Sequence, residues 1–310
     1  MKCFEQKKNS LLLMAEQFHR TLPSPLYELF EWYIPDLWFR YLTPREVLQQ
    51  LLINRHNRFK IFSHKEIIER KKSDTLFICG TSAHVDEIGD ATWDKINEHD
   101  TLALNYFIYH KNRPTYFALN YGRDDLVNIH HEELIRKRNN EYKNTIFLIS
   151  SRKRRRGVHP RIMPQFFTDD PKVTFFLHPK SAKVPDTRSF CSADFKQTMF
   201  FRSSLNLYLY VARLFEYRKI VLLGCEMNSG VPFHEDYPEA QWMHQIEGYQ
   251  APYAERKRLR YNGTYDSKGK HNLVTTIMAI NEYVFKPEGI ELYVFNEKSV
   301  LYPQIPLYVG

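Results

Sequence analysis

The chain has 310 residues, 43% hydrophobic and 26% charged, a composition that excludes a disordered or collagen-like protein. A formal net charge of +8 favours an anionic partner: nucleic acid, an anionic membrane, a nucleotide or an acidic glycan. The four cysteines, Cys3, Cys79, Cys191 and Cys225, form no C-x-x-C pair, which argues against a zinc knuckle and for a reduced, cytoplasmic compartment.

The first 72 residues read as a helical extension. Leu11, Leu12, Ala15 and Phe18 fit a helix, and the apolar run there is too short for a signal peptide. Ser24-Pro25 reads as an N-cap followed by a first-turn proline, and Thr43-Pro44-Arg45-Glu46 as a capping box ahead of Val47, Leu48, Leu51 and Leu52. Between these starts lies the aromatic stretch YELFEWYIPDLWFRYL. Such a stretch either packs on the main domain or enters a membrane interface through Trp32 and Trp38. The run ERKKSD, Glu69 to Asp74, reads as a solvated linker.

From residue 73 to 310 strands alternate with helices. Strands are expected at Thr75–Cys79, Thr101–Leu104, Thr115–Leu119, Thr145–Ile149, Val173–Leu177, Ile220–Leu223 and Glu291–Phe295. Helices are expected near Val85–Ile96, Asp124–Arg138, Ser203–Tyr217 and Asn272–Phe285. This alternation predicts an α/β fold: a mostly parallel, Rossmann-like sheet with helices on both faces. Cys79 and Cys225 fall in apolar runs and read as small buried hydrophobes. His130-His131, on a charged helix, reads as solvent-facing.

Ligands of such sheets sit beyond the carboxyl ends of the strands. The first strand ends at Gly80-Thr81-Ser82, the second at Asn105, the third at Asn120 and the sixth in LLGCEMNSG. A strand, tight turn and helix can cradle a phosphate, although only Gly80 stands where a dinucleotide site has three glycines. Residues 227–270 have little periodicity and are rich in aromatics and bases, including His234, Tyr237, Trp242 and His244. They read as a lid or acceptor-binding element. The run SSRKRRRGVHPR, Ser150 to Arg161, would suit nucleic acid, an anionic membrane or a phosphorylated glycolipid. No nucleic-acid-binding motif accompanies it.

Several blocks, in order, resemble the bacterial sialyltransferases of glycosyltransferase family 42, which transfer sialic acid from CMP-sialic acid. The blocks are LFICGTSAHVDEI, LALNYFIYH, YFALNYG, FFRSSLNLYLYVARLFEYRKIVLLGCEM and GKHNLVTTIMAINEY, and the resemblance covers roughly Asp74 to Leu301. The resemblance implies a single nucleotide-binding glycosyltransferase domain. Gly80, Thr81, Ser82, Asn105 and Asn120 would then hold the CMP part of the donor, and His271 would be the catalytic base. Thr81 stands where the family has asparagine, and Ser82, Ala83 and His84 replace the rest of that turn. The family's phosphate-binding tyrosines follow a Gly-x-Asp block. Here Gly224-Cys225-Glu226 precedes Met227 and Asn228, and the nearest tyrosine is Tyr237. Glu226, Asn228 and Tyr237 are therefore assigned to the donor side, with Kdo or another nonulosonate as an alternative sugar.

The chemistry needs an anion site and a base. Arg202 with Ser203 and Ser204 opens a helix whose free N–H groups favour a phosphate. His271 just precedes a helix, where the positive end of the dipole keeps an imidazole neutral and able to accept a proton. No Asp-x-Asp occurs, so the expected mechanism is metal-independent, with no cofactor beyond the CMP-sugar. The expected partners are a CMP-activated sugar and a glycan or glycolipid acceptor, of cell-surface polysaccharide or lipooligosaccharide type. Peripheral contact with the inner face of an anionic membrane is expected, and nucleic acid is not. The class alternative is a non-catalytic nucleotide or nucleic-acid binder. The sequence sets no oligomeric state.

Overall fold

The structure is a computed structural model. It describes residues 64–121, 125–138, 140–151, 174–177, 180–181, 199–200, 203–227, 232–245 and 272–310. The chain divides into two units, Met1–His56 and Asn57–Gly310, and every described residue lies in the second. The expected helices and aromatic stretch of the first unit, Cys3, Cys191 and most of the arginine run lie outside the described residues.

Seven strands form one parallel sheet in the order β5-β4-β3-β2-β1-β8-β9. They are β1 (Thr75–Cys79), β2 (Asp100–Leu104), β3 (Tyr116–Tyr121), β4 (Ile146–Ser151), β5 (Thr174–Leu177), β8 (Lys219–Leu223) and β9 (Glu291–Val294). Every strand expected from the sequence is present, displaced by two residues at most. A separate two-stranded sheet pairs β6 (Lys180–Ser181) with β7 (Met199–Phe200) and was not expected. The helices are α1 (His64–Ile68), α2 (Asp90–Asn97), α3 (Asp125–Lys137), α4 (Ser204–Leu214) and α5 (Leu273–Ile280). The fold is thus Rossmann-like α/β.

The strands read as apolar runs because they are covered on both faces. Leu76 and Ile78 of β1, Leu102 and Leu104 of β2, Tyr116 and Ala118 of β3, and Ile220 and Leu222 of β8 join one core with α4 and α5. The alternate residues, Phe77, Cys79, Ala103 and Phe117, are buried on the opposite side. Each large side chain so buried contributes about 1.5–3 kcal/mol. Helix α4 is apolar all round and buries nine of its eleven residues, as a helix enclosed by a core must. Ile67 of α1 is fully buried in the same core, so the α/β unit reaches back before residue 73.

Two helices depart from expectation. The helix expected over 85–96 is split: a 3-10 turn covers Ala83–Val85, and α2 starts only at Asp90, capped by Gly89. The helix expected over 272–285 is α-helical only to Ile280 and continues as a π turn, Asn281–Phe285.

At the opposite edge of the sheet from the candidate site, Asp100 is fully buried. Its Oδ2 accepts the Tyr217 hydroxyl at 2.9 Å and the Lys72 N–H at 2.8 Å. The Tyr217 hydroxyl also lies 3.1 Å from that of Tyr116. Burial pushes both phenol pKa values upward. This network joins β2, β3 and the approach to β8.

Candidate functional site

The strand order reverses between β1 and β8: β2 to β5 extend to one side, β8 and β9 to the other. Ligands of open parallel sheets sit beyond the carboxyl ends of the strands at such a switch point. The register matches Cys79 with both Ala103 of β2 and Leu223 of β8. Extended by one residue, it brings Gly80, Leu104 and Gly224 to one level.

The turn after β1 is tied down on both sides. The Gly80 N–H donates to Leu223 O at 2.7 Å, and the Ser82 N–H to Gly224 O at 3.1 Å. A Cβ on Gly80 would lie 2.1 Å from Gly224 O. Gly224 itself has φ +64, and a Cβ there would meet Val85 Cγ2 at 2.4 Å. The two glycines therefore let the turns after β1 and β8 cross in contact. Gly80 supplies space at this crossing, while its own amide is engaged by β8 rather than turned to a ligand. Thr81 and Ser82 remain half-buried. The Ser82 Oγ accepts the His84 N–H at 3.4 Å, capping the 3-10 turn.

Asn105 and Asn120 belong to neighbouring strands' ends, as expected. Asn105 opens a 3-10 turn, Asn105–Tyr109, and Asn120 lies within β3, paired with Ser150 of β4. Their side chains lie outside the described residues. Ser203 is the N-cap of α4, its Oγ accepting the Leu205 N–H at 3.1 Å, and Ser204 is the first helical residue. Arg202, Asn228 and His271 lie outside the described residues, as does the segment 246–271. The helix after position 271 is capped by its neighbour. The Asn272 side chain accepts the Thr275 N–H at 2.8 Å, and the Thr275 hydroxyl accepts the Asn272 N–H at 3.0 Å.

Glu226 follows β8 and is 3% exposed. Its Oε1 accepts Asn296 Nδ2 at 2.9 Å and its carbonyl accepts the Val300 N–H at 3.1 Å. Oε2 is buried with no hydrogen-bond partner among the described residues. Met227 next to it holds φ +57, a left-handed conformation that a non-glycine residue adopts at a cost. Burial raises the thiol pKa values of Cys79 and Cys225, so neither serves as a thiolate nucleophile at neutral pH.

The first part of the expected lid is ordered against the sheet edge. Two 3-10 segments, Phe233–Asp236 and Pro238–Gln245, follow a bridge between Ser82 and Pro232. The Phe233 N–H donates to Thr81 O at 3.1 Å. Aromatic stacking holds the rest. His234 stacks on Tyr106 at 4.4 Å, Trp242 on His130 at 4.0 Å, and the Trp242 Nε1 donates to the Tyr109 hydroxyl at 3.1 Å. His130-His131 is therefore not solvent-facing. His131 is buried against the edges of Tyr106 and Tyr109, and desolvation lowers its pKa to about 3. The charged residues of α3 hid this, because the pair occupies the one stripe that meets the lid. The i, i+3 spacing of Tyr106 and Tyr109 directly after a strand was the available signal.

Beside this cluster lies a cavity of about 640 Å3, lined by Asp86 and Ile88 after β1, Tyr109 to Lys111 and Arg113 after β2, Arg138 and Glu141 after α3, and Tyr237 and Glu239 of the lid. Tyr237 donates its hydroxyl to Asp86 Oδ1 at 2.7 Å, and burial, reinforced by this bond, raises the phenol pKa. Tyr237 thus faces this cavity and a carboxylate. His110 is 2% exposed, and desolvation lowers its pKa to about 4. Its Nδ1 accepts the Asn112 N–H at 3.2 Å, leaving Nε2 to carry the proton, 3.7 Å from Asp86 Oδ1. Neither Asp86 nor His110 stands out in the sequence, since each lies in the connection after a strand and only the fold brings them together.

Among the described residues, no group of three or more His, Cys, Asp or Glu side chains could hold a metal ion, and no helix is long and apolar enough to cross a membrane. In class, then, this is a Rossmann-like α/β unit whose strand order reverses between β1 and β8. Compared with models of known families, with curated proteins and with solved structures, the chain matches none.

Proposed function

We propose that the protein is a glycosyltransferase that moves sialic acid, or a related keto-acid sugar such as Kdo, from a CMP-activated donor to a glycan acceptor. One observation carries the reading: the turn after β1 and the ends of β2, β3 and β8 lie along the same carboxyl edge of one parallel sheet, and these are the segments that resemble a CMP-sugar site. Thr81, Ser82, Asn105 and Asn120 bind the nucleotide. Arg202, with the first-turn N–H groups of α4 at Ser204, takes the phosphate. Glu226 and Asn228, which follow β8 in the chain, belong to the donor side.

The reaction is an inverting displacement. The acceptor hydroxyl attacks the anomeric carbon as the bond to the CMP phosphate breaks, and the leaving phosphate stays on Arg202. The hydroxyl proton passes to His271. Because Asn272 fills the cap of α5, the histidine before it is not required as the cap and is left to act as the base. No step uses a metal. The positive charge favours docking at an anionic membrane surface, where a lipid-linked acceptor would be met.

The test is calorimetric titration of the full chain with CMP. Binding that weakens in Asn105→Ala and Asn120→Ala, with unchanged melting temperatures, supports the reading. Absence of CMP binding by the folded protein refutes it. Equal binding to unrelated nucleotides and to DNA would point instead to a non-catalytic binder.

A further inference from the structure

Of the residues assigned to the donor, only Tyr237 lines the cavity between the β2 turn and the lid, and the lining is unlike an anion site. Its cations, Lys111, Arg113 and Arg138, are matched by Asp86, Glu141 and Glu239. Arg113 forms a two-pronged ion pair with Glu141. Arg138 reaches Glu239 at 3.2 Å and gives a second N–H to Ile108 O at 2.8 Å. Lys111 pairs with Asp90 outside the cavity. No cation is therefore held in reserve for a phosphate or a carboxylate. Asp86 differs from the other two carboxylates. Its neighbours, the Tyr237 hydroxyl and His110, are neutral at pH 7, and both approach Oδ1. Its Oδ2 has no hydrogen bond among the described residues. The lining thus offers paired, planar donors and acceptors around one open carboxylate oxygen, with Tyr109 and Ile88 as apolar wall.

Vicinal hydroxyls of a neutral sugar match that set. They donate to carboxylate oxygens and accept from guanidinium N–H groups, while the apolar face of the ring lies on an aromatic side chain. A volume of about 640 Å3 lies in the usual range of small-ligand sites. We propose that this cavity binds an uncharged sugar, with Asp86 as the principal hydrogen-bond acceptor and Tyr237 and His110 holding its carboxylate in place. The lid segment that supplies Tyr237 and Glu239 is hydrogen-bonded to the turn after β1 through Phe233 and Thr81, so the cavity adjoins the donor side. If the transferase reading above is right, on which this part rests, the sugar is a neutral unit of the acceptor glycan.

Saturation-transfer NMR on the full chain tests the proposal, with lactose as the neutral probe, inorganic phosphate as an anionic competitor and CMP as a reporter of the donor side. Lactose should give signals that persist with excess phosphate and with saturating CMP. Asp86→Asn, which keeps the size of the side chain, should weaken lactose binding about tenfold, the loss expected for a hydrogen bond to a charged group, and leave CMP binding unchanged. Glu239→Gln, on the lid rim, should weaken lactose less and serves as the second variant should Asp86→Asn unfold. No lactose signal, displacement by phosphate, or equal lactose binding by the wild type and both variants overturns the proposal. If CMP fails to bind while lactose binds as described, the transferase reading falls and the sugar site stands.

Discussion

Mild acid should destabilise the α/β unit through two buried histidines. Desolvation lowers the pKa of His110 to about 4 and of His131 to about 3, against about 6.5 in the unfolded chain. The unfolded state therefore binds more protons than the folded one through this window, so stability rises with pH. It is fully present above the unfolded value and is lost as pH falls from about 6.5 towards the folded values. Between about pH 7.5 and about pH 5 each histidine costs about 2 kcal/mol, about 4 kcal/mol together. Carboxylates with ordinary pKa values stay mostly ionised across that range and add little. Urea unfolding of the full chain at the two pH values measures the difference. In His131→Phe, which keeps an aromatic ring beside Tyr106 and Tyr109 and removes a ring nitrogen that has no hydrogen-bond partner among the described residues, the acid loss should fall by about half. Equal stability at both pH values, or an undiminished loss in His131→Phe, would refute the reasoning.

Other consequences follow from the same contacts. Gly80→Ala drives a methyl group into the backbone of Gly224 and should cost about 3 kcal/mol or more by the midpoint of denaturant unfolding, since neither strand end can yield. Asn272→Ala removes the capping box of α5 and should lower stability by about 1 kcal/mol. With His271 as the base, it should also slow transfer more than it weakens CMP binding. Asp100→Ala leaves the Tyr217 hydroxyl and the Lys72 N–H without their shared acceptor; thermal unfolding should register a loss of about 2–4 kcal/mol. Sedimentation with vesicles rich in anionic lipid should recover the protein at low salt and release it at high salt, and no recovery at low salt would remove the membrane contact from the account.

The strands were legible because a parallel sheet covered on both faces needs continuous apolar runs, and TLFIC and KIVLL supply them between polar turns. Ser203 and Asn272 stand where the sequence placed the two helix starts, and the structure makes both of them N-caps. Gly89 hid the true start of α2, because Val85, Ile88 and Trp93 kept a helical spacing across a break in the backbone. The crossing of Gly80 and Gly224 was not legible at all. It depends on two segments about 140 residues apart, and a single glycine after a strand reads equally as a phosphate turn. The cavity was missed for a similar reason: Asp86, His110, Arg138 and Tyr237 come from four separate connections, and only the folded sheet edge gathers them. His131 was misread because charge on most of a helix outweighed the one stripe that packs.

The central claim is transfer from a CMP-activated acidic sugar, and the release of CMP tests it most directly. Wild-type protein should liberate CMP from CMP-sialic acid or CMP-Kdo faster than the donor decays by itself, and His271→Ala should bind CMP as well as the wild type yet release it about a hundredfold more slowly in the presence of acceptor. A folded wild-type chain that binds CMP but releases none from either donor, with any acceptor glycan supplied, would contradict the account.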